Sequence, residues 1–391
     1  MASTANVLTN LIPSLYMALD TVSRELVGFI PAVRRDSTAA RAAIGQTIYF
    51  PVSPAATART VTPDYKRPDD GNQTIGNSSL AIENSRAVAV RWQGEESMQM
   101  NSPGGVGVAA LKTDQYAQAM RTLVNEIEAD LAGLYVNASR AAIPNATTLF
   151  SANLADAANV RKILADNGAP LSDLQLVVDT GTGAALRTLT NLNSVADSGT
   201  DSLLRQGILL NIHGMQIRES AQVITPAIGT EADATLHATT DYAVGDTALT
   251  LAAVGTGTVV AGDLVTIAAT GQTTVQYVNK TLIGAVSGSA FTINKPGLRL
   301  AITDNACAIA CYKSSARCIA FDRNAILLAT RMPALPEGGD MASERTTITD
   351  PRSGLSFDVA VYKEYHQTAV EISIAWGVKA LKEEHIAILA A

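Results

Sequence analysis

Two hydrophobic periods run through this chain. The longest regular stretch spans residues 113–142. Tyr116, Met120, Leu123, Val124, Ile127, Leu131, Leu134, Tyr135 and Ala138 recur there at helical spacing and share one face of an α-helix. Asp114, Gln118, Arg121, Asn125, Glu128 and Asn137 fall mainly on the other side. Thr113 suits an N-cap, and Pro144 blocks continuation. About thirty residues at roughly 1.5 Å each make a rod of roughly 45 Å. The stripe is one-sided and is not a sustained heptad, so it predicts a spine helix with a sheet along one side rather than a coiled-coil arm.

A period of two marks the strands. Residues 46–52 and 86–93 read as strands; in the second, Val88, Val90 and Trp92 alternate with Ala87, Ala89 and Arg91. Between them lies a long polar stretch, 53–79, whose bulky apolar residues are Val61, Tyr65 and Ile75. Two strands joined by such a loop predict a hairpin arm that reaches away from the body. Upstream, residues 8–27 read as a helix with a stripe of Leu15, Leu19, Val22 and Leu26, and Gly28 past its end. Asp20 and Glu25 lie off that stripe, as solvated charge or as a docking surface.

Past the spine, 156–167 reads as a helix, 174–179 as a strand and 180–190 as a helix capped by Thr180. Residues 202–206 read as a helical turn, and 207–220 as two strands about a turn at His213-Gly214. Residues 223–302 then change character, being rich in Thr, Gly, Ala and Val. Short strands at 247–251, 263–267, 274–278 and 290–294 are separated by turns such as Val244-Gly245-Asp246 and Ala261-Gly262-Asp263. That spacing predicts a small β-barrel or sandwich inserted into a larger unit. A mixed pattern returns with a helix at 320–330, a loop at 335–344, and strands at 345–349, 355–362, 368–375 and 386–389.

Composition sharpens the picture. The chain has 391 residues, 47% apolar and only 17% charged, with 28 glycines. So little charge points to surface buried against other copies. A net charge of −7 argues against a dedicated nucleic-acid binder, which needs clustered Lys and Arg. No run of about 18 apolar residues predicts a membrane span, and the N-terminus lacks the basic n-region of a signal peptide. Cys307, Cys311 and Cys318 then read as reduced, packed thiols, since CxxxCxxxxxxC is no zinc-ribbon spacing. His213, His237, His366 and His385 are isolated, and Glu95-Glu96 and Glu383-Glu384 read as solvated charge. Gly181-x-Gly183 follows a strand and opens a helix, but Leu186 stands at the third glycine position of a dinucleotide turn. A nucleotide-dependent enzyme built on that turn is the remote alternative. No catalytic set, metal site or cofactor is expected.

The order of parts carries a family resemblance. Gln46-Thr47-Ile48-Tyr49-Phe50-Pro51-Val52 is similar to an aromatic-then-Pro-Val strand before an extended loop. Residues 207–220 look like a Gly-hydrophobic-Gly strand pair before an insertion, and Ala261-Gly262-Asp263-Leu264-Val265-Thr266-Ile267 like a barrel strand opening with Gly-Asp. Ile374-Ala375-Trp376-Gly377-Val378 through Glu384-His385-Ile386 resembles a C-terminal Trp-x-Gly-Val strand and its sequel. Together these resemble the tailed-phage major capsid proteins of the HK97 fold, and among them the coat-protein family of Salmonella phage P22.

The resemblance implies an α+β fold with an N-terminal arm (1–45), an extended-loop hairpin with flanking strands (46–93), a core of P- and A-domains (94–222 and 303–391) and an inserted β-barrel (223–302). It implies self-assembly as hexamers and pentamers into an icosahedral shell around double-stranded DNA, without sequence-specific binding. It implies scaffolding and portal partners, no membrane, a place in the virion, and assembly in the bacterial cytoplasm. On that reading Arg59, Lys66, Arg67, Asp69 and Asp70 make intersubunit salt bridges from the loop, and Asp20 and Glu25 meet scaffold. Asp246 and Asp263 sit in turns of the barrel, at the contact between capsomers. The polar face of the spine, with Arg121, Asn125, Glu128 and Asn137, looks toward a shell surface, the lumen. A bacterial compartment-shell or surface-layer protein is the alternative.

Overall fold

In the computed structural model, the described residues are 28–391 without 53–57, 59, 62, 64–73, 101–107, 144–147, 152, 194–208, 210, 228, 231, 237–240, 257–258, 272–274, 281–289, 304–306, 312–314 and 350–353. The chain opens with β1 (Arg34–Ala42), β2 (Thr47–Val52), β3 (Gly76–Ala81) and β4 (Asn84–Gln93). Helices α1 (Gly94–Met100) and α2 (Val108–Gly133) follow, then β5 (Arg140–Ala142), α3 (Ala155–Asp166), β6 (Leu174–Val178), α4 (Thr180–Thr188), α5 (Thr190–Asn193) and β7 (Met215–Glu219). The next strands are β8 (Ala232–Leu236), β9 (Ala248–Thr256), β10 (Leu264–Ile267), β11 (Gln276–Val278), β12 (Ala290–Thr292) and β13 (Ile309–Cys311). The chain closes with β14 (Cys318–Asp322), β15 (Ile326–Pro333), β16 (Glu344–Thr349), β17 (Ser356–Glu364), β18 (Gln367–Ala380) and β19 (Ile386–Leu389).

The spine is α2. It begins at Val108, so Thr113 lies inside the helix and is not its cap. It ends at Gly133, nine residues before the expected end, tightening through a 3-10 turn at Leu134–Asn137 into β5. Tyr116, Met120, Leu123, Ile127 and Leu131 are buried. They pack on a six-stranded sheet in the order β1-β15-β18-β17-β16, with β4 on β18. Val88, Val90 and Trp92 of β4 turn inward while Ala87, Ala89 and Arg91 face out, as the alternation predicts.

A second, eight-stranded sheet runs β13-β10-β11-β5-β19-β14-β6-β7. Residues 320–330, expected as a helix, are instead the end of β14, a 3-10 turn and the start of β15. Both strands are buried along almost their whole length, so their apolar run is continuous and carries no period to separate strand from helix. In the region 223–302 all four expected strands form, as β9, β10, β11 and β12. They share a core of Leu236, Tyr242, Leu249, Val265, Ile267, Tyr277 and Ile293 with Cys307 and Ile309. Yet β10 and β11 belong to the eight-stranded sheet, because β11 pairs antiparallel with β5. The region therefore grows out of the body's own sheet.

His385 sits in the 3-10 turn before β19 and is buried. Burial and then the charge of Lys382 lower its pKa from 6.5, while Asp322 and Glu384 pull the other way. A base whose folded value is depressed stabilises the fold above its unfolded value, and that stability drains as pH falls. Urea midpoints are expected to fall as pH drops below 6.5, and the His385→Asn variant is expected to flatten that decline. Equal pH slopes for the two proteins would show that His385 is not responsible.

Candidate functional site

Two smaller sheets lie outside the two large ones: a three-stranded sheet β12-β9-β8 and a two-stranded ribbon of β2 and β3. β2 and β3 pair in unbroken antiparallel register from Thr47↔Ala81 to Val52↔Gly76. The first strand of the expected hairpin is thus right, but its partner is β3. The strand at 86–93 pairs with β18 instead. Alternation gives the ribbon two faces. Ile48 and Phe50 pack on Ala42, Leu80, Ile82, Leu327, Ala329 and Ala375. On the other face Tyr49 is 67% exposed, and just before β3 Ile75 is 66% exposed.

The root of the ribbon is fixed by backbone. Gly45 N–H donates to Ile82 O at 2.9 Å, Ile82 N–H to Gln46 O at 3.0 Å, and Glu83 N–H to Trp376 O at 3.2 Å. Lys379 Nζ donates to Ser79 O. At the crossing with β18 stands Gly377. A Cβ there would lie 3.1 Å from the carbonyl carbon of Ala81 and 3.3 Å from Ile82 Cα, with the Ala81 oxygen closer still.

The far end of α2 holds a second constellation. Glu128 is 1% exposed. Its Oε2 accepts from Gly28 N–H (3.2 Å), Phe29 N–H (3.0 Å) and Ser220 Oγ (2.9 Å), and its Oε1 from Ile30 N–H (2.7 Å). Burial pushes the carboxyl up from the ordinary glutamate range, against the pull of those four donors. Gly28 fits only because it lacks a side chain, since a Cβ would lie 2.6 Å from Glu219 O and 2.9 Å from Ser220 Cβ. Two residues on, Asp130 accepts from Trp376 Nε1 and Asn84 Nδ2, both at 2.7 Å. One turn of the spine therefore clamps residues 28–30, the end of β7, β4 and β18 together.

This corrects the expected polar face. Asn125 is exposed and Arg121 and Asn137 are half-buried, but Glu128 is interior. The spacing held the signal, because Glu128 follows Val124 by four residues and precedes Leu131 by three, on the buried stripe itself.

The other expected residues fall in different places. Arg59, Lys66, Arg67, Asp69 and Asp70 of the loop lie outside the described residues, as do Asp20, Glu25, the helix at 8–27 and the turn at 202–206. Asp246 is half-buried in its turn and accepts from Ala243 N–H at 2.7 Å. Asp263 is 3% exposed and accepts from Val260 N–H (2.7 Å) and Gly229 N–H (3.1 Å). Burial raises its pKa. Its carboxylate is thus held inside the subunit.

The Gly181-x-Gly183 turn is filled from within. Asp179, not Thr180, caps α4, accepting from Gly181 N–H at 3.1 Å and Thr182 N–H at 3.3 Å. The Glu219 carboxylate, paired with Arg187, lies over Gly183. Two carboxylates occupy the place where a phosphate would sit, so the turn repels one. Cys318 is buried beside Asp179, and burial pushes its thiol up to about 12, which leaves it inert as a nucleophile. Among the described residues, no group of three His, Cys, Asp or Glu is placed to hold a metal, and no helix is long and apolar enough to cross a membrane.

Neither a known family model nor a curated protein matches the chain. Solved structures do. The capsid of the Cyanophage P-SCSP1u is 12% identical with a TM-score of 0.47, covering 94% of this chain and 89% of that one. The bacteriophage PhiM1 mature capsid is 13% identical with a TM-score of 0.45, over 93% and 86%. The virus-like particle from Pyrococcus furiosus is 9% identical with a TM-score of 0.43, over 97% and 99%.

Proposed function

We propose that this chain is the major capsid protein of a tailed phage, self-assembling into an icosahedral shell around double-stranded DNA and carrying no catalytic role. The observation that carries the reading is the ribbon of β2 and β3. An isolated two-stranded ribbon is at best marginally stable. This one is seated on the body by one face and presents Tyr49 on the other, with Ile75 exposed just before β3. An exposed apolar face on a projecting element is stabilised by burial against another subunit. The low charge fraction and the sequence resemblance support the same reading.

In the full proposal the chain has the HK97-like organisation. An N-terminal arm (1–45) and an extended loop with its flanking strands (46–93) surround a P- and A-domain core (94–222 and 303–391), with 223–302 as the inserted domain. Hexamers and pentamers form with the help of scaffolding and portal proteins in the host cytoplasm, and the product is the virion shell. Scaffold meets Asp20 and Glu25, and Asp246 lies toward a neighbouring capsomer. Lys66 and Arg67, with Arg59, Asp69 and Asp70, pair across the subunit boundary.

Electron microscopy of the purified chain tests the reading: closed shells are expected. Charge reversal at Lys66 and Arg67 (K66E/R67E) is expected to cut particle yield by about tenfold or more, as like charges meet at an interface, while the far-ultraviolet circular dichroism of the subunit stays unchanged. A discrete monomer that never assembles, or shells that fill with a cargo enzyme instead of DNA, would overturn it.

A further inference from the structure

One long strand of the six-stranded sheet is paired on one side only. β4 runs for 10 residues along β18, and no strand lies on its other side among the described residues. Gly94 N–H donates to His366 O at 3.2 Å at the head of this ladder. Antiparallel pairing alternates, so Trp92, Val90 and Val88 turn their backbone groups to β18, and Arg91, Ala89 and Ala87 turn theirs outward. Those outward N–H and C=O groups make no hydrogen bond with the described residues. Edge strands are ordinarily guarded by charge or by proline. Here the charges stand at Arg86, 3.6 Å from Glu126, and at Arg91, 4.0 Å from Glu364. Between them lie only Ala87, Val88, Ala89 and Val90.

A groove follows that edge. It is open, holds about 550 Å³, and is walled by residues 88–91 of β4 and by Leu111, Asp114, Gln115, Gln118, Ala119 and Thr122 of α2. α2 runs against β4, since Trp92 Nε1 donates to Gln115 Oε1 at 2.9 Å while Arg86 reaches Glu126. Asp114 therefore lies toward the Arg91 end of the groove. It is exposed and has no ion pair among the described residues. The chain itself carries a segment of matching chemistry. Thr57-Ala58-Arg59-Thr60-Val61-Thr62, between Pro54 and Pro63, puts Arg59 and Val61 on one side of an extended chain and is rich in strand-forming residues. Ala58, Thr60 and Val61 are exposed and lie outside any helix or strand, Val61 at 84%.

We infer that residues 57–62 of a second copy add to the free edge of β4 as an antiparallel strand, an inference that rests on the shell reading for the neighbouring copy. The backbone groups of Ala87, Ala89 and Arg91 supply the ladder, and alternate side chains of the added strand enter the groove. In the antiparallel direction Arg59 meets Asp114, and Val61 meets Gln118 and Ala119 one helical turn on. The spacings agree, because two residues of strand span about 7 Å and four residues of helix about 6 Å. Within one subunit the segment and the edge are both left open, so one head-to-tail contact satisfies both, and its repetition closes a ring. Pairing two β4 edges with each other would instead leave Val61 in water and Asp114 without a cation.

The test is disulfide trapping in the full chain. Val61→Cys/Gln118→Cys, assembled and then oxidised, is expected to run as a ladder of linked multimers on a non-reducing gel, while the wild type and either single variant stay monomeric. A disulfide closed within one chain, seen as a monomer of altered mobility, would place the segment on its own subunit and overturn the inference. So would the absence of any link. Ala89→Pro removes an outward N–H that the ladder to β18 does not use, which an edge strand tolerates. It is expected to cut particle yield by about tenfold or more at an unchanged urea midpoint, because the added strand loses its main-chain partner. Ala89→Val keeps that N–H and is expected to give normal yield. Normal yield from Ala89→Pro would count against the contact. Shells that assemble without the link sink this inference alone. If the wild type forms no shells, the capsid reading falls, and trapping on concentrated subunits still decides the contact.

Discussion

Replacing Glu128 by alanine is expected to lower the unfolding free energy of the dispersed subunit by about 4 kcal/mol, since each buried donor left without an acceptor costs about 1–3 kcal/mol. Three backbone N–H groups and the Ser220 hydroxyl share this one carboxylate. Phe29 and Ile30 are wholly buried, so water does not reach their amides to take the carboxylate's place. The loss is large against a typical stability of about 5–15 kcal/mol. Glu128→Gln keeps the volume and one acceptor oxygen, so about half the loss is expected there. Urea denaturation gives the free energies, and hydrogen exchange locates them: the amides of residues 28–30 are expected to lose their protection in Glu128→Ala. Full retention of that protection would show that residues 28–30 are held by packing of Phe29 and Ile30 rather than by the carboxylate.

Glu128 also shows what the sequence can and cannot convey. Its place on the buried stripe was readable from spacing, but a charged residue at such a position is ordinarily assigned to solvent. The donors that make its burial tolerable come from residues about a hundred positions upstream and from Ser220, and nothing local announces them. Gly28 has a second role that nothing local announces. In sequence it reads as the residue past a helix, and in the fold it also makes a close approach to the end of β7.

The spine and most strands were legible because apolar periodicity over many residues survives any detail of packing. The errors cluster where that signal is absent. β3, with Asn77, Ser78 and Ser79 at its centre, is a strand through its backbone ladder to β2 and buries only Leu80 fully. β1, Arg34–Ala42, is a polar edge strand held by parallel pairing to β15. The end of α2 was misplaced for the opposite reason. Tyr135 and Ala138 continue the apolar stripe after the helix has stopped, because the 3-10 turn still lies on the core. Asp263 was recognised as a turn residue, but only the fold reveals that its carboxylate turns inward to Val260 and Gly229.

Gly377→Ala is expected to cost about 3 kcal/mol, at the upper end of what one inserted methyl does in a packed core. The obstruction is the backbone of residues 81–82, from the Ala81 carbonyl to Ile82 Cα, so no side chain can rotate away. β18 cannot retreat either, because Gly377 is paired with Ala329 of β15 and its neighbour Trp376 is tied to Asp130 of the spine. The ribbon must therefore lift. That breaks the bond from Glu83 N–H to Trp376 O and opens the small core of Leu80, Ile82 and Ala375 on which Ile48 and Phe50 rest. Gly133→Ala is the matched control. Gly133 has helical angles (φ −60°, ψ −20°) and open space where an alanine methyl would sit, so it is expected to be neutral or to stabilise by about 0.5–1 kcal/mol. The two variants differ also in assembly. With the ribbon's angle changed, Gly377→Ala subunits that still fold are expected to give few or no closed particles under the electron microscope, whereas Gly133→Ala gives normal yield. A Gly377→Ala protein with wild-type urea midpoint and particle yield would mean that the ribbon is not set by its crossing with β18.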